Sequence, residues 1–291
     1  MLFGLDSEYA ELSSVLLYKP GPAIADHPDP PAVQHLAPID HEELEQQLER
    51  LIITFTLLGI HVTLVDPPEE TSDMSNYNMM FCRDIFFMTP TGAILANMAN
   101  ETRRGETSHA ARTFARAGIP VLHAVDGDGR FEGADALWVN KKLVVVGIGN
   151  RTNMPAFLQL QAVLKKQGID SVPLPSAQRR TQHLLGSLQI VDKDLALVRE
   201  EIISPETVTF LERHGFRIIG IPENLEVRSR QAMNIVTVAP RKVIMTAGCP
   251  ETRRIYLDAG IEIVAELPIS QLINGAGGLA CTTGTLARSG C

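Results

Sequence analysis

Polar side chains of the types used in covalent catalysis recur along this chain at nearly constant intervals. In chain order they are Asp84, Glu132 with Asp135, His183, Asn234 and Cys281. The separations are 51 residues from Asp84 to Asp135, 48 to His183, 51 to Asn234 and 47 to Cys281. A thiol can attack an electrophilic carbon, a histidine can transfer protons, and a carboxylate can orient or charge the histidine. A structural repeat of about 50 residues would bring these groups together.

The elements that would position these residues repeat at a similar interval. A helical run followed by glycine, an apolar residue and a strand occurs five times, with the glycines at Gly59, Gly118, Gly168, Gly215 and Gly260. Glycine after a helix can adopt the left-handed conformation that ends it, and the apolar run that follows is typical of a buried strand. In the first unit, Asp40 is the predicted helix cap, with Glu43 three residues later.

A strand–turn–strand pattern lies between successive units, in IFFMTPTGAILAN, LWVNKKLVVVG, LQIVDKDLALV and IVTVAPRKVIMT. Each segment has two apolar runs around a short polar turn, which predicts a β-hairpin. A fifth hairpin would combine the C-terminal ACTTGTLAR with the N-terminal SSVLLYKPG. A doubly wound parallel sheet also contains helix–glycine–strand junctions, but its crossovers need no hairpins. The pattern therefore predicts an α/β fold, a ring of five ββαβ modules closed by the two termini as one domain over residues 1–291.

Equivalent positions of such a ring lie around one axis, so the repeat predicts that the polar groups converge at one end. Taken singly, each has an ordinary structural explanation: a buried cysteine, a paired histidine, or an acid that caps a turn. The shared position in the repeat favours a site in which Cys281, His183 and Glu132 act together. Metal ligation by the same residues is the alternative, disfavoured because no pair has helical i, i+4 spacing.

The segment GAGGLA beside Cys281 matches a relaxed dinucleotide-binding pattern. That fingerprint requires a following helix and an acidic residue about 20 positions on. Only eleven residues follow Ala280, and none of them is acidic. The glycines are better explained as room for a substrate to approach the backbone.

Composition and charge narrow the class of protein. The 291 residues are 45% apolar and 21% charged, with a formal net charge of −8. This charge disfavours nucleic acid and an anionic membrane as partners and suits a small cationic substrate. The most apolar segment, LIITFTLLGIHVTLV, is too short to span a bilayer, and MLFGLDSEYA lacks the pattern of a secretory signal.

The four cysteines, Cys82, Cys249, Cys281 and Cys291, form no CxxC pair, so neither a disulfide framework nor a zinc site is indicated. A reducing cytoplasm is the expected compartment. The sequence leaves the oligomeric state open, a homo-oligomer included.

Six motifs occur in a fixed order: NMMFCRD, ETRRGE, FEGAD, GNRTN, HLLG and GAGGLACT. From SSVLLYKPGPAI to GGLACTTG the chain resembles the guanidino-group modifying enzymes, which include arginine deiminases, dimethylarginine dimethylaminohydrolases, arginine dihydrolases and amidinotransferases. The fold of that family is the five-bladed α/β propeller, or pentein, which agrees with the repeat.

The resemblance implies a role for each matching residue. Cys281 resembles the nucleophile that attacks the guanidinium carbon, His183 the acid–base, and Glu132 the carboxylate that supports the cationic reacting centre. Asp84 resembles the residue that binds guanidinium N–H groups. Asn78, Arg103 and Arg151 match positions that hold the substrate carboxylate in amino-acid-specific members. No cofactor and no metal is implied, and Asp135 and Asn234 join the predicted substrate site through their repeat positions.

Several residues depart from the family pattern. Leu185 stands where deiminases and amidinotransferases usually carry a second guanidinium-binding aspartate, and Cys82 stands where threonine is usual. Ala280 and Thr282 flank the cysteine where histidine and methionine are common. We therefore expect a cysteine-dependent hydrolase that cleaves a C–N bond of a small guanidino, amidino or ureido compound. The alternatives are an amidinotransferase that uses the same site and a non-catalytic pentein such as the ribosome anti-association factors.

Overall fold

Five three-stranded sheets of one pattern form the framework of the protein. The computed structural model describes residues 3–25, 27–66, 76–176 and 181–289. Its strands are β1 (Leu12–Leu17), β2 (His61–Leu64), β3 (Phe86–Thr89), β4 (Gly92–Leu95), β5 (Val121–Ala124), β6 (Ala136–Asn140), β7 (Leu143–Ile148), β8 (Asp170–Pro175), β9 (Leu188–Asp192), β10 (Leu195–Arg199), β11 (Arg217–Ile221), β12 (Val236–Ala239), β13 (Lys242–Thr246), β14 (Glu262–Leu267) and β15 (Gly284–Arg288). The sheets have the orders β15–β1–β2, β3–β4–β5, β6–β7–β8, β9–β10–β11 and β12–β13–β14.

In every sheet the middle strand pairs antiparallel with one neighbour and parallel with the other. The antiparallel pairs β3–β4, β6–β7, β9–β10 and β12–β13 are the four predicted hairpins. The first sheet joins the two ends of the chain, because β15 pairs with β1 so that Thr285 lies opposite Val15. The predicted five-module α/β propeller and its closure by the termini are confirmed.

The helices are α1 (His41–Leu57), α2 (Glu106–Ala117), α3 (Met154–Lys166), α4 (Pro205–Arg213), α5 (Leu225–Arg230), α6 (Pro250–Asp258), α7 (Ser270–Asn274) and α8 (Leu279–Thr282). One helix in each module (α1, α2, α3, α4 and α6) leads from the middle strand of a sheet to its parallel strand, whereas α5, α7 and α8 lie between modules. The Asp40 side chain accepts the Glu43 N–H at the start of α1, as predicted. All five repeat glycines have a positive φ, between +68° and +81°, which confirms the left-handed conformation expected after each helix.

The second and third sheets are in close contact, and this contact shapes the site. The rings of Phe87 and Trp138 stack with centroids 5.6 Å apart, and the indole N–H of Trp138 donates to the carbonyl of Met88. Below them, the Gly133 N–H donates to the carbonyl of Asp84 at 2.7 Å. A Cβ at Gly133 would collide with the backbone carbonyl of Phe86. Only glycine therefore allows these two loops to approach so closely.

Three of the four cysteines lie within the described residues. Cys82, Cys249 and Cys281 are free thiols, and Cys291 lies outside the described residues. Among the helices of the described ranges, none is long and apolar enough to cross a membrane. A single domain over residues 1–291 stays a prediction.

We expect Gly133→Ala to lower the free energy of unfolding by about 1–3 kcal/mol, because the added methyl group overpacks a backbone contact. The new methyl carbon would also lie 2.7 Å from the carbonyl oxygen of Arg83, which leaves it no room to shift. Urea denaturation would measure the change.

Gly21→Ala is the matched control, because no heavy atom lies within 4 Å of a Cβ built there. It should alter stability by less than about 0.5 kcal/mol. Equal stability of the two variants would contradict the account of the Gly133 contact.

Candidate active site

A cavity of about 400 Å³ lies where most of the predicted residues meet. Seven of these predicted residues line it, namely Asn78, Asp84, Arg103, His183, Leu185, Asn234 and Cys281. Glu132, Asp135 and Arg151 are not in the lining. The repeat thus brings the thiol, the imidazole, the amide and one carboxylate onto one surface, with the other two carboxylates behind it.

The same position in each module supplies these side chains. Glu132 and His183 each directly precede a short 3-10 helix, Gly133–Asp135 and Leu184–Gly186, that leads into the first strand of its sheet. Asp84 and Asn234 each lie two residues before the first strand of a sheet. Cys281 lies in α8, which leads into β15. The convergence follows from this repeated loop-to-strand junction.

Asn234 holds the Cys281 thiol. Its Nδ2 donates to Cys281 Sγ at 3.1 Å, while its Oδ1 accepts the backbone N–H groups of Ala280 at 2.7 Å and Cys281 at 3.3 Å. These two N–H groups fix the orientation of the amide, because a flipped amide would present a donor to them. A Cβ at Gly278 would lie only 2.8 Å from Asn234 Cγ, so glycine there makes room for the amide.

Burial raises the pKa of the Cys281 thiol to about 11, and the negative charge of Asp84 acts in the same direction. The hydrogen bond from Asn234 opposes both effects. The thiol is therefore protonated near neutral pH when no cation is bound beside it.

His183 and Glu132 form a buried pair. His183 Nε2 donates to Glu132 Oε2 at 2.6 Å, and the Glu132 side chain has no exposure to solvent. Burial acts to lower the pKa of His183, but the negative charges of Asp84 and Glu132 outweigh it and raise this pKa to about 9. Burial likewise acts to raise the pKa of Glu132, but His183, Arg103 and Arg151 lower it to about 2. The pair is an imidazolium and a carboxylate at neutral pH.

Arg103 lies among buried carboxylates at the end of the cavity. Its Nη1 donates to Asp84 Oδ2 at 2.7 Å, and its Nε and Nη2 donate to Glu106. Nη1 is also 4.0 Å from Glu132 Oε2. The other oxygen, Asp84 Oδ1, is buried without a hydrogen bond and lies 3.7 Å from His183 Nδ1. A carboxylate oxygen in this state can accept an N–H group from a molecule in the cavity.

The remaining residues expected to bind a substrate carboxylate have partners within the protein. Asn78 Nδ2 donates to the carbonyl of Val33 at 2.7 Å. Arg151 lies behind Glu132, with Nη1 donating to Glu132 Oε1 at 3.2 Å and Nη2 donating to Gln182 Oε1. The structure therefore directs Arg151 toward the His183–Glu132 pair, and its part in substrate binding stays a prediction.

Asp135 and Leu185 differ in their relation to the cavity. Asp135 Oδ1 accepts the backbone N–H of Leu184 at 2.8 Å, so this carboxylate supports the turn that carries His183. Burial raises the pKa of Asp135 to about 6. Leu185 is 6% exposed and presents an apolar side chain to the cavity. A direct contact between Asp135 and a substrate is not supported by this arrangement.

Ligand atoms of Asp84, Glu132 and His183 lie within 4.8 Å of one another, which is a spacing that a metal ion could bridge. Arg103 and Arg151 already donate to the two carboxylates, and a metal cation would be repelled by both guanidinium groups. These neighbours favour proton transfer over metal binding at this position.

Several cavity residues carry no signal in the sequence repeat. They include Gln34, Leu36, Arg199, Arg228, Gln231 and Ala276. Gln34, Gln231 and Ala276 adopt the left-handed conformation, which non-glycine residues seldom take. The six residues come from loops, from α5 and, for Arg199, from the end of β10 rather than from the loop-to-strand junctions, so repeat spacing could not have identified them.

Known proteins resemble the chain in sequence and in fold. A dimethylarginine dimethylaminohydrolase from Pseudomonas aeruginosa is 27% identical over 247 residues, which are 85% of this chain and 90% of that protein. A solved structure of the Pseudomonas aeruginosa enzyme in complex with citrulline has a TM-score of 0.77 at 24% identity, and the match covers 94% of this chain and 98% of that one. Inosamine-phosphate amidinotransferase from Streptomyces griseus has a TM-score of 0.75 at 16% identity, covering 100% and 98% of the two chains.

These two structures share the fold, which agrees with the predicted pentein propeller. The model of the arginine deiminase family matches residues 63–215. This range includes three of the five junctions that form the site and exceeds half of the 291 residues. The chain belongs to the arginine deiminase family of guanidino-group modifying enzymes.

Proposed function

We propose that this protein is a cysteine-dependent hydrolase that cleaves a C–N bond of a guanidino, amidino or ureido small molecule through a covalent adduct on Cys281. The observation that carries this proposal is a single cavity lined by Cys281, by His183 with Glu132 bonded behind it, and by Asp84, whose Oδ1 has no hydrogen-bond partner. The relatives named above modify guanidino compounds, which supports the same chemistry.

Asp84 binds the substrate in this proposal. A guanidinium group carries several N–H donors, and Asp84 Oδ1 is a buried acceptor without a partner. The charge-assisted hydrogen bond fixes the substrate carbon near Cys281. The backbone N–H of Arg83, the neighbour of Asp84, also donates to the carbonyl of Cys281. The loops that carry Asp84 and Cys281 are therefore fixed relative to each other.

Substrate binding activates the thiol. A guanidinium placed beside Cys281 supplies a positive charge next to the sulfur, so it lowers the pKa of the thiol from about 11, and the thiol proton passes to solvent. The thiolate attacks the guanidinium carbon and forms a tetrahedral carbon with a new S–C bond. Asn234 Nδ2 donates to the sulfur and stabilises its anionic form before attack.

His183 then transfers protons. As an imidazolium it protonates the departing nitrogen, the C–N bond breaks, and an S-linked amidinium remains on Cys281. Neutral His183 next takes a proton from water, whose oxygen attacks the same carbon. Collapse breaks the S–C bond, forms the C=O bond of a ureido product and passes the hydroxyl proton to the sulfur, so the thiol and the imidazolium are both regenerated. Glu132 keeps the imidazole oriented throughout.

Cys281→Ser should abolish turnover without unfolding the protein, because the hydroxyl is a far weaker nucleophile than the thiolate. His183→Ala should allow the adduct to form with a good leaving group but should slow its hydrolysis by about 10²–10⁴-fold. Mass spectrometry of protein quenched during turnover should detect the adduct on a peptide that contains Cys281.

Cys82→Ser is the matched thiol control, because Cys82 is fully buried, donates to the carbonyl of Met79 and does not line the cavity. It should retain most of the activity. Full activity of Cys281→Ser would refute the mechanism, and transfer of the amidino group to an added amine in preference to water would identify an amidinotransferase.

Asn234→Asp should raise the pKa of Cys281, because a carboxylate keeps the acceptor for the Ala280 N–H but loses the donor to sulfur. A hydrogen bond to a charged group is worth about 1.5–3 kcal/mol, or one to two pH units. The rate of Cys281 alkylation by iodoacetamide at pH 8 should fall about 10- to 100-fold.

Asn140→Asp controls for the change from amide to carboxylate, because Asn140 is exposed at a hairpin turn and its Oδ1 accepts the N–H of Lys142. Its alkylation profile should match that of the unmodified protein. An unchanged profile for Asn234→Asp would show that the Asn234 amide does not stabilise the thiolate.

Leu185 bears on the substrate. Asp84 is the one acidic residue among the described residues of the cavity lining, and its Oδ2 is occupied by Arg103. A free arginine guanidinium would face Leu185 with an unpaired N–H donor, which costs on the order of 1–3 kcal/mol. N-alkylated guanidines and ureido compounds should therefore exceed arginine in kcat/KM, up to about a hundredfold.

A kinetic panel of arginine, methylated arginines, citrulline and simple alkylguanidines measures this preference. Leu185→Asp should shift it toward arginine, because the new carboxylate accepts the stranded N–H. The highest kcat/KM for arginine in the unmodified protein would show that Leu185 does not exclude it.

A further inference from the structure

The cavity has a buried inner end and an exposed rim. Asp84, Arg103 and His183 are buried, between 3% and 6% exposed, and form the inner end. Leu36, Gln182 and Arg228 are exposed and form the rim. Asp84 is the single acid among the lining residues, so the described part of the rim contains no carboxylate.

Among the described residues, three arginines line the cavity, and two of these have carboxylate partners. Arg103 donates to Asp84 and Glu106, as described above. Arg199 donates from Nε and Nη2 to the two oxygens of Glu223, at 2.5 and 2.7 Å. Both guanidinium groups are thus paired in the fork geometry that arginine prefers.

Arg228 differs from both. It lies in the last turn of α5 and is exposed. Its backbone N–H donates to the carbonyl of Asn224, but its guanidinium makes no hydrogen bond or ion pair with any described residue. Its helix neighbour Arg230, which does not line the cavity, donates to the carbonyl of Gly248 at 2.8 Å. Two neutral amide side chains, Gln34 and Gln231, share the lining with Arg228. The described rim therefore presents one uncompensated positive charge.

We infer that Arg228 binds a carboxylate at the end of the substrate remote from the guanidino group. This inference rests on the proposed function, since it takes Asp84 and Cys281 as the site of the guanidino group. The charge order, negative inside and positive at the rim, complements a molecule with a cation at one end and an anion at the other. A cavity of about 400 Å³ is large enough for a molecule of amino-acid size.

The assignment differs from the one implied by the family motifs. Asn78, Arg103 and Arg151 match carboxylate-binding positions, but each donates to an acceptor within this protein. Recruiting Arg103 would leave Asp84 and Glu106 buried without their cation. Arg228 binds a carboxylate without breaking any contact in the described residues.

Binding to the Cys281→Ala variant, which cannot turn over, tests the inference by calorimetry. The two probes are 4-guanidinobutanoate and propylguanidine, which share the guanidino group and the three-carbon chain and differ by the carboxylate. The acid should bind about tenfold more tightly, and the difference should shrink as salt is added, because the rim is exposed. Adding Arg228→Gln should remove the preference, and adding Arg228→Lys should retain part of it.

Arg230→Gln is the matched control, since it removes the same charge from the same helix outside the cavity and should leave the preference intact. In the active enzyme, Arg228→Gln should raise KM for the guanidino acid about tenfold with kcat little changed, and should leave propylguanidine unaffected.

The outcomes distinguish a failure of the role of Arg228 from a failure of the proposed function. A preference for the acid that survives Arg228→Gln overturns the role of Arg228, and its loss in Arg151→Gln instead would assign the carboxylate to Arg151. Failure of the protein to bind or convert either probe would overturn the proposed function itself.

Discussion

The charge balance around Arg103 is the constraint on which the site depends. One guanidinium, 3% exposed, contacts Asp84 and Glu106 and lies near Glu132. Removing a buried cation from such a cluster leaves uncompensated negative charges, which carboxylates avoid by taking up protons. A protonated Glu132 could no longer raise the pKa of His183. The pKa of His183 therefore depends on Arg103, whose charge is buried and paired within the protein.

Burial by itself does not determine the state of these carboxylates. Glu106 and Glu132 are both completely buried, yet burial raises the pKa of Glu106 to about 7 while the pKa of Glu132 is lowered to about 2. The difference lies in the charges around them. Arg103 lowers the pKa of Glu106 while the negative charges of Asp84 and Glu132 raise it, whereas His183, Arg103 and Arg151 all lower the pKa of Glu132. At Glu132 the positive neighbours outweigh desolvation and lower the pKa, whereas at Glu106 desolvation prevails and the pKa is raised.

Much of the fold and part of the site could be predicted from the sequence. Interval and residue type were enough to place Cys281, His183 and Asp84 on one surface, because equivalent junctions of a repeat must meet at its axis. The repeat does not predict the direction in which a side chain points within a junction. Asp135, the last residue of the short 3-10 helix after Glu132, accepts the backbone N–H of Leu184 and does not line the cavity.

Arg228 was missed for a different reason. It belongs to α5, which lies outside the shared ββαβ pattern, and an exposed arginine in a helix has no sequence feature that separates it from a solvated surface charge. Its position became apparent only once the partners of Arg103 and Arg199 were known. The assignment of carboxylate binding by motif stays a prediction, because a motif records residue type and not the contacts that each residue already makes.

The atoms left without partners decide what the cavity can bind. Both oxygens of Glu132 are occupied, one by His183 and the other by Ala99 and Arg151. Asp84 retains one acceptor, Oδ1, and Leu185 offers none. Under the proposed function, a chain with the same motifs but an acid at position 185 would hold a guanidinium on two sides and would accept a different substrate, with the same proposed nucleophile and acid–base pair. Shared motifs therefore support a proposal for the chemistry at Cys281, whereas the substrate would depend on which neighbouring donors and acceptors the fold has already satisfied.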